Sequence, residues 1–350
     1  MVKILKIVYI RTMILGYSNT ALDARFSMLG EEFDFESFSD DLYDLYSIPI
    51  KYIISAMEPA TSNTTRGKYH YLPGYIAATH INAVTCDEGN GSIICLNSCA
   101  PILLFKLCVH YTFCCNLQTA LAAGNPIPAI CSYKEPIQVK LEPSEILPQK
   151  VQRNFNYFKK SELYKRVVGS GKLKYALYLY DLATRFLVMH ECMHVVLGHT
   201  AYMRKEFGVT ELLAFSEIMN TNAQMIKTLQ ALEFMADLHT ASGVFLQALH
   251  GNLFLDYTSD TDLNIDKECF VARSVINALC ILFRLFPFKW KTLADVIKTV
   301  HPHPYIRLQW ILTGLSNQLT DSRNFEEYLM RPMGQSLAVF ADNFAIEDND

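Results

Sequence analysis

The stretch His190-Glu191-Cys192-Met193-His194 lies inside a run, 172–197, that contains neither glycine nor proline. A run of that length reads as an α-helix. Residues four apart on a helix share one face, about 6 Å apart along the axis. His190 and His194 can therefore offer two imidazoles to one zinc ion at about 2.0–2.1 Å each. Glu191, rotated about 100° from His190, is placed to take a proton from a water in an open coordination position. The plain alternative is a pair of core histidines satisfied by their neighbours.

A second helical segment, about 220–250, carries Glu233-Phe234-Met235-Ala236-Asp237. Glu233 and Asp237 are again four apart. One can complete a His-His-Glu site while the other accepts the remaining ring N–H of a liganding histidine. They would otherwise be surface acids, but they sit in the apolar run 229–236, where an unpaired carboxylate is costly to bury. A third stretch, His301-Pro302-His303-Pro304-Tyr305-Ile306-Arg307, reads as a rigid turn leading into a helix. His301 or His303 could donate to an oxyanion there, and Arg307 could anchor that loop or a substrate carbonyl. A proline-rich helix start with a surface histidine gives the same pattern.

Around these motifs the chain has 350 residues, 51% apolar and 19% charged, with mean hydropathy +0.12, enough to bury one large core or two modest ones. Lys and Arg number 31 against 35 acids, a formal charge of −4, which gives no general electrostatic claim on nucleic acid or an anionic membrane. The ten cysteines form no CxxC pair, only Cys95-x-x-x-Cys99 and the adjacent Cys114 and Cys115. They read as buried reduced thiols, which favours a reducing, cytoplasmic setting. The first 16 residues are interrupted by Lys3, Lys6 and Arg11, so no signal peptide is expected. The apolar stretch 100–124 carries Lys106, His110, Asn116 and Gln118, so it reads as a core helix and no transmembrane segment is expected.

Residues 31–44 interleave acids with Phe33, Phe35, Phe38 and Tyr43 and read as a solvated helix face or a loose docking arm. A loop is expected at 61–67. Two apolar runs, 75–85 and 92–96, flank Asp87-Glu88-Gly89-Asn90-Gly91, which predicts a β-hairpin. A helix should follow Pro101 to about residue 123, and then Pro126, Pro128, Pro136, Pro143 and Pro148 punctuate a connector over 124–172. Within it the basic stretch 151–174 reads as a solvated helix face with a turn at 169–171. Further helices are expected near 173–202, 220–250, 268–286 and 305–319. The resulting division is an N-terminal segment of unassigned role, 1–65, a main domain, 66–320, and a C-terminal tail, 321–350.

Taken together these patches resemble the gluzincin metallopeptidases of the CaaX prenyl protease and HtpX type. The matching residues, in chain order, are Asn82-Ala83 with Ser92-Ile93-Ile94-Cys95-Leu96, the HExxH through Gly198-His199, the ExxAD from Glu233, and His301-Pro302 with Arg307. Among soluble proteins the chain also resembles the Lit phage-exclusion peptidase family, from which the reaction and not the target is carried over. The resemblance implies an α+β, mainly helical zincin-like domain, with the HExxH helix, a backing ExxAD helix and a small β-hairpin edge along which substrate lies. It implies one zinc ion held by His190, His194 and Glu233, with Asp237 behind a liganding histidine. Glu191 would be the general base, and Asn82, His301 and Arg307 would assist the tetrahedral intermediate. The expected activity is zinc-dependent endopeptidase action on a protein or peptide substrate.

Two rival readings stand beside it. One is a non-catalytic zinc-binding regulatory or partner-binding protein, in which His199, His239 or Cys192 closes the coordination sphere. The other is an adaptor that docks through 31–44 and 151–174. The sequence assigns neither a substrate nor an oligomeric state.

Overall fold

The computed structural model describes residues 20–62, 70–79, 81–87, 91–114, 141–213, 223–251, 266–286, 302–321 and 324–334. In chain order the elements are α1 (Thr20–Leu29), α2 (Asp40–Ser62), β1 (His70–Ile76), β2 (Ala83–Asp87), β3 (Gly91–Asn97), α3 (Ala100–Cys114), α4 (Pro148–Lys160), α5 (Glu162–Gly169), α6 (Leu173–Val196), α7 (His199–Phe207), β4 (Glu211–Leu213), α8 (Ala223–His250), α9 (Lys267–Arg284) and α10 (Pro304–Ser316). Most are helices, and the strands form one small sheet, so the chain is α+β and mainly helical.

The 172–197 run becomes α6, and its composition explains its place. Apolar and aromatic residues occur all round it, and Tyr178, Leu179, Leu182, Phe186 and Val188 are all buried. A helix apolar on every side has no solvent face to offer and becomes the centre of a domain. Accordingly α2, α3, α8 and α9 all pack against α6. A single buried cluster extends from Phe33 to Met333, so the N-terminal segment from Phe33 onward shares the core of the main domain.

That segment is no loose arm. Phe33, Phe35 and Phe38 are buried and pack their rings on Tyr46 and Tyr75, while Glu31, Asp34, Asp40, Asp41 and Asp44 stay exposed. The interleaving seen in the sequence is thus an inside–outside alternation within one chain. The helix α2 runs on to Ser62, past the start of the loop expected at 61. The first 16 residues, where no signal peptide is expected, lie outside the described residues.

The sheet has the order β1-β3-β2-β4. The strands β2 and β3 form the predicted antiparallel hairpin, with Thr85 opposite Ile94, and β1 adds parallel to β3. Alternate side chains leave opposite faces of a strand. Val84, Cys86, Ile93 and Cys95 pack under Phe26 of α1, whereas Ala83, Ile94 and Leu96 join the main core. Gly74 in β1 admits this arrangement, since a Cβ there would stand 2.6 Å from the Phe26 ring. One expectation is corrected: β2 is not an edge, because β4 pairs antiparallel along its other side.

Within the connector, the helix face expected over 151–174 takes the form of two helices, with the left-handed Gly171 in the turn that follows. Residues 124–140 lie outside the described residues, but α4 and α5 fill 148–169. Pro148, expected to interrupt regular structure, stands in the first turn of α4, where a missing N–H costs no intrahelical bond. The 173–202 helix is divided at Gly198, whose φ of 73° ends α6 and lets α7 turn back. The helix after Pro101 is described to Cys114 and is buried, and no described helix is long and apolar enough to cross a membrane. The eight cysteines among the described residues are all buried thiols.

Candidate metal centre

Two helices meet at the site. His190, Glu191 and His194 come from the last turns of α6, and Glu233 and Asp237 from the middle of α8, which packs along it. All five are buried, with Asp237 at 0% exposure. The Nε2 atoms of His190 and His194 lie 3.2 Å apart, and each lies 3.2 Å from a Glu233 carboxylate oxygen. Three donors at about 2.0–2.1 Å from one tetrahedral ion would be separated by about 3.3 Å. Two nitrogens and one oxygen thus converge as a metal ion requires, and this is the one such group among the described residues.

Charge supports the same conclusion. Glu191, Glu233 and Asp237 are three buried carboxylates, and Arg307 is the single buried guanidinium among them. With neutral imidazoles the cluster carries two formal negative charges, which a divalent cation would balance and an apolar core would not tolerate. Burial pulls the His190 pKa down, but Glu233 and Asp237 outweigh it and hold the ring up at about 10. Without a cation, a proton on His190 therefore supplies part of the missing positive charge.

The outer nitrogens of the two histidines are held differently. Nδ1 of His190 lies 3.0 Å from Asp237, whose carboxylate accepts two 2.7 Å hydrogen bonds from the Nε and NH2 groups of Arg307. Burial alone would raise the Asp237 pKa, but Arg307 and His190 hold it below the usual carboxylate range. The guanidinium of Arg307 is fixed in turn over the Phe283 ring and lies 3.7 Å from Glu233. Nδ1 of His194 instead meets Nδ1 of His199 at 3.1 Å. Burial, then the neighbouring His194, push His199 down to about 3, so it stays neutral and its Nδ1 can accept from His194. Gly198 is what brings His199 there, since its left-handed backbone folds α7 back over the end of α6.

Glu191 is not one of the three converging donors. Its Oε2 accepts a 2.7 Å hydrogen bond from the hydroxyl of Thr85 in β2, while its buried Oε1 has no hydrogen-bond partner among the described residues. Thr85 was not singled out in the sequence, where a lone Thr in an apolar strand carries no signal. His199 belongs to the motif that carries the resemblance and is a possible fourth ligand by sequence, but its place behind His194 depends on the turn at Gly198.

The remaining candidates are placed as follows. Asn82 accepts at its own side-chain oxygen from the Ala83 N–H, at the start of β2. Arg307 reaches the centre through Asp237 and Glu233. His301 lies outside the described residues. His303 is the N-cap of α10, where its Nδ1 accepts from the Tyr305 N–H at 3.1 Å, with Pro304 following in the first turn. Of the possible closing ligands for a structural site, His239 is exposed and Cys192 is buried with its thiol pKa pushed up. His199 stands behind His194 and outside the converging group. No family model, curated protein or solved structure matches the chain.

Proposed function

We propose that this chain is a zinc-dependent endopeptidase in which Glu191 is the general base. The observation that carries the reading is the combination of a three-donor His190–His194–Glu233 cluster with a buried, uncommitted Oε1 on Glu191 beside it. A purely structural site needs neither feature, since it closes with four protein ligands and uses no base. The two-nitrogen, one-oxygen donor set suits zinc with a position left for water.

Zinc bound there would lower the pKa of its water from 15.7 toward about 7 and polarise the scissile carbonyl. The chain's own residues do the rest. Thr85 keeps Oε2 of Glu191 engaged, so Oε1 is the atom that takes the water's proton and returns it to the leaving amine. Asp237, clamped by Arg307, fixes the His190 ring, and His199 fixes that of His194. Arg307 is thereby a positioning residue, and His301 is retained as the donor to the developing oxyanion. The substrate class is an extended protein or peptide segment, and the buried thiols fit a reducing, cytoplasmic setting.

The deciding experiment is the metal content of protein purified without added metal. About one zinc per chain is expected, lost in His194→Ala, in keeping with the coordination arithmetic of such sites. Absence of zinc, with none recovered on adding it back, would end the peptidase reading. A second measurement addresses the support behind the ligands. His199→Ala should weaken zinc binding about 10- to 100-fold in a chelator competition. Unchanged affinity would show that His194 needs no such partner.

A further inference from the structure

We propose that Glu211–Leu213 is a resident inhibitory strap, lying on the edge of β2 where an extended peptide substrate would bind, so that hydrolysis requires its displacement. The inference rests on the peptidase reading above.

Extended peptides bind to sheets by adding a strand to an exposed edge, with main-chain hydrogen bonds supplying much of the affinity. The strand β2 has two sides. One is taken by β3 within the hairpin, and the other by β4, whose register sets Leu213 opposite Val84, Leu212 opposite Thr85 and Glu211 opposite Cys86. Thr85 is also the residue whose hydroxyl holds Glu191. Adjacent strands run about 4.8 Å apart. The backbone beside Thr85 is therefore the one abreast of the candidate base, and that place is filled by the chain itself.

The bonds that hold the strap can be worked out. The Asp87 N–H donates to the Thr210 carbonyl at 2.9 Å. Hydrogen-bonded pairs alternate along an antiparallel ladder, so two positions on, Thr85 and Leu212 exchange both bonds, while the pairs at 84 and 86 make none. A three-residue strand at the end of the sheet order, joined by so few bonds, is the kind of element that opens locally far more readily than the whole fold. Its upstream anchor is independent of that ladder. The left-handed Gly208, at φ 69°, closes α7, the Val209 N–H donates to the Met203 carbonyl, and Arg204 of α7 pairs with Asp87 of β2 at 3.4 Å. Releasing β4 thus leaves α7, with His199 at its start, tied to the sheet.

The test uses two zinc-loaded chains, the parental protein and Leu212→Pro, which removes the one strap N–H that donates to Thr85. Two probes are titrated, acetohydroxamate, which needs only the metal, and a tetrapeptide hydroxamate, which also needs the β2 edge. Acetohydroxamate should bind both chains alike. The peptide probe should bind Leu212→Pro at least about fivefold more tightly, because the strap makes only a fraction of the parental chains competent. A smaller difference for the peptide probe, with acetohydroxamate bound equally by both, would overturn the strap. Failure of acetohydroxamate to bind the zinc-loaded parental chain would instead overturn the open metal centre and the peptidase reading with it. If Leu212→Pro does not fold, replacement of all three strap residues by glycine is read by the same criteria.

Discussion

Glu191→Gln should keep its zinc and lose peptide hydrolysis by about 10²- to 10⁴-fold, the share that a positioned general base contributes. Gln preserves the shape of the side chain and an amide oxygen that can still accept from Thr85, so the fold has no reason to change. What it removes is basicity at the atom that has no hydrogen-bond partner among the described residues. The measurement is mass-spectrometric detection of cleavage in a peptide mixture, with zinc content assayed on the same sample. It should be run in the parental chain and in Leu212→Pro, so that an occupied β2 edge is not mistaken for missing chemistry. Hydrolysis retained by the zinc-loaded Gln variant would remove Glu191 from its role.

Arg307→Met should destabilise the metal-free chain by about 3–5 kcal/mol, the usual consequence of leaving one partner of a buried ion pair behind. The guanidinium is 1% exposed and gives Asp237, itself fully buried, two hydrogen bonds. Met fills a similar volume over Phe283 but supplies no donor. The Asp237→Asn, Arg307→Met double variant should recover part of the loss, because it removes both charges together. Thermal unfolding of the metal-free proteins reads the series. A single Arg307→Met variant as stable as the parental chain would mean that Asp237 draws its compensation from elsewhere, His190 being the remaining neighbour.

The parts of this centre that the sequence displayed are those set by helical spacing. His190 with His194, and Glu233 with Asp237, are four apart on α6 and α8, and local periodicity alone puts each pair on one face. The hairpin was legible for a similar reason, since the turn residues at 87–91 sit between two apolar runs. What escaped depends on contacts between distant parts of the chain. Thr85 lies 106 residues from Glu191, and Asp237 lies 70 from Arg307. No period or spacing encodes such a pairing. His303 illustrates a different limit, because a histidine before a proline can cap a helix as readily as face a site, and the favoured N-cap residues are Ser, Thr, Asp and Asn. The three residues of β4 are too few to show alternation, so the sequence carries no sign that β2 is an interior strand.

The position of β4 in the chain has a consequence for biosynthesis. Chains leave the ribosome from the N-terminus, and their parts fold as they emerge. The strands β2 and β3 appear first, then α6 with both histidines, then the 211–213 segment, and only afterwards α8 with Glu233 and α10 with Arg307. The free side of β2 can therefore be covered before Glu233, the third of the candidate donors, has been translated. On the proposed peptidase reading, β2 is then already covered by β4 when the centre is completed, which shields it from neighbouring nascent polypeptides, extended and unfolded as they are.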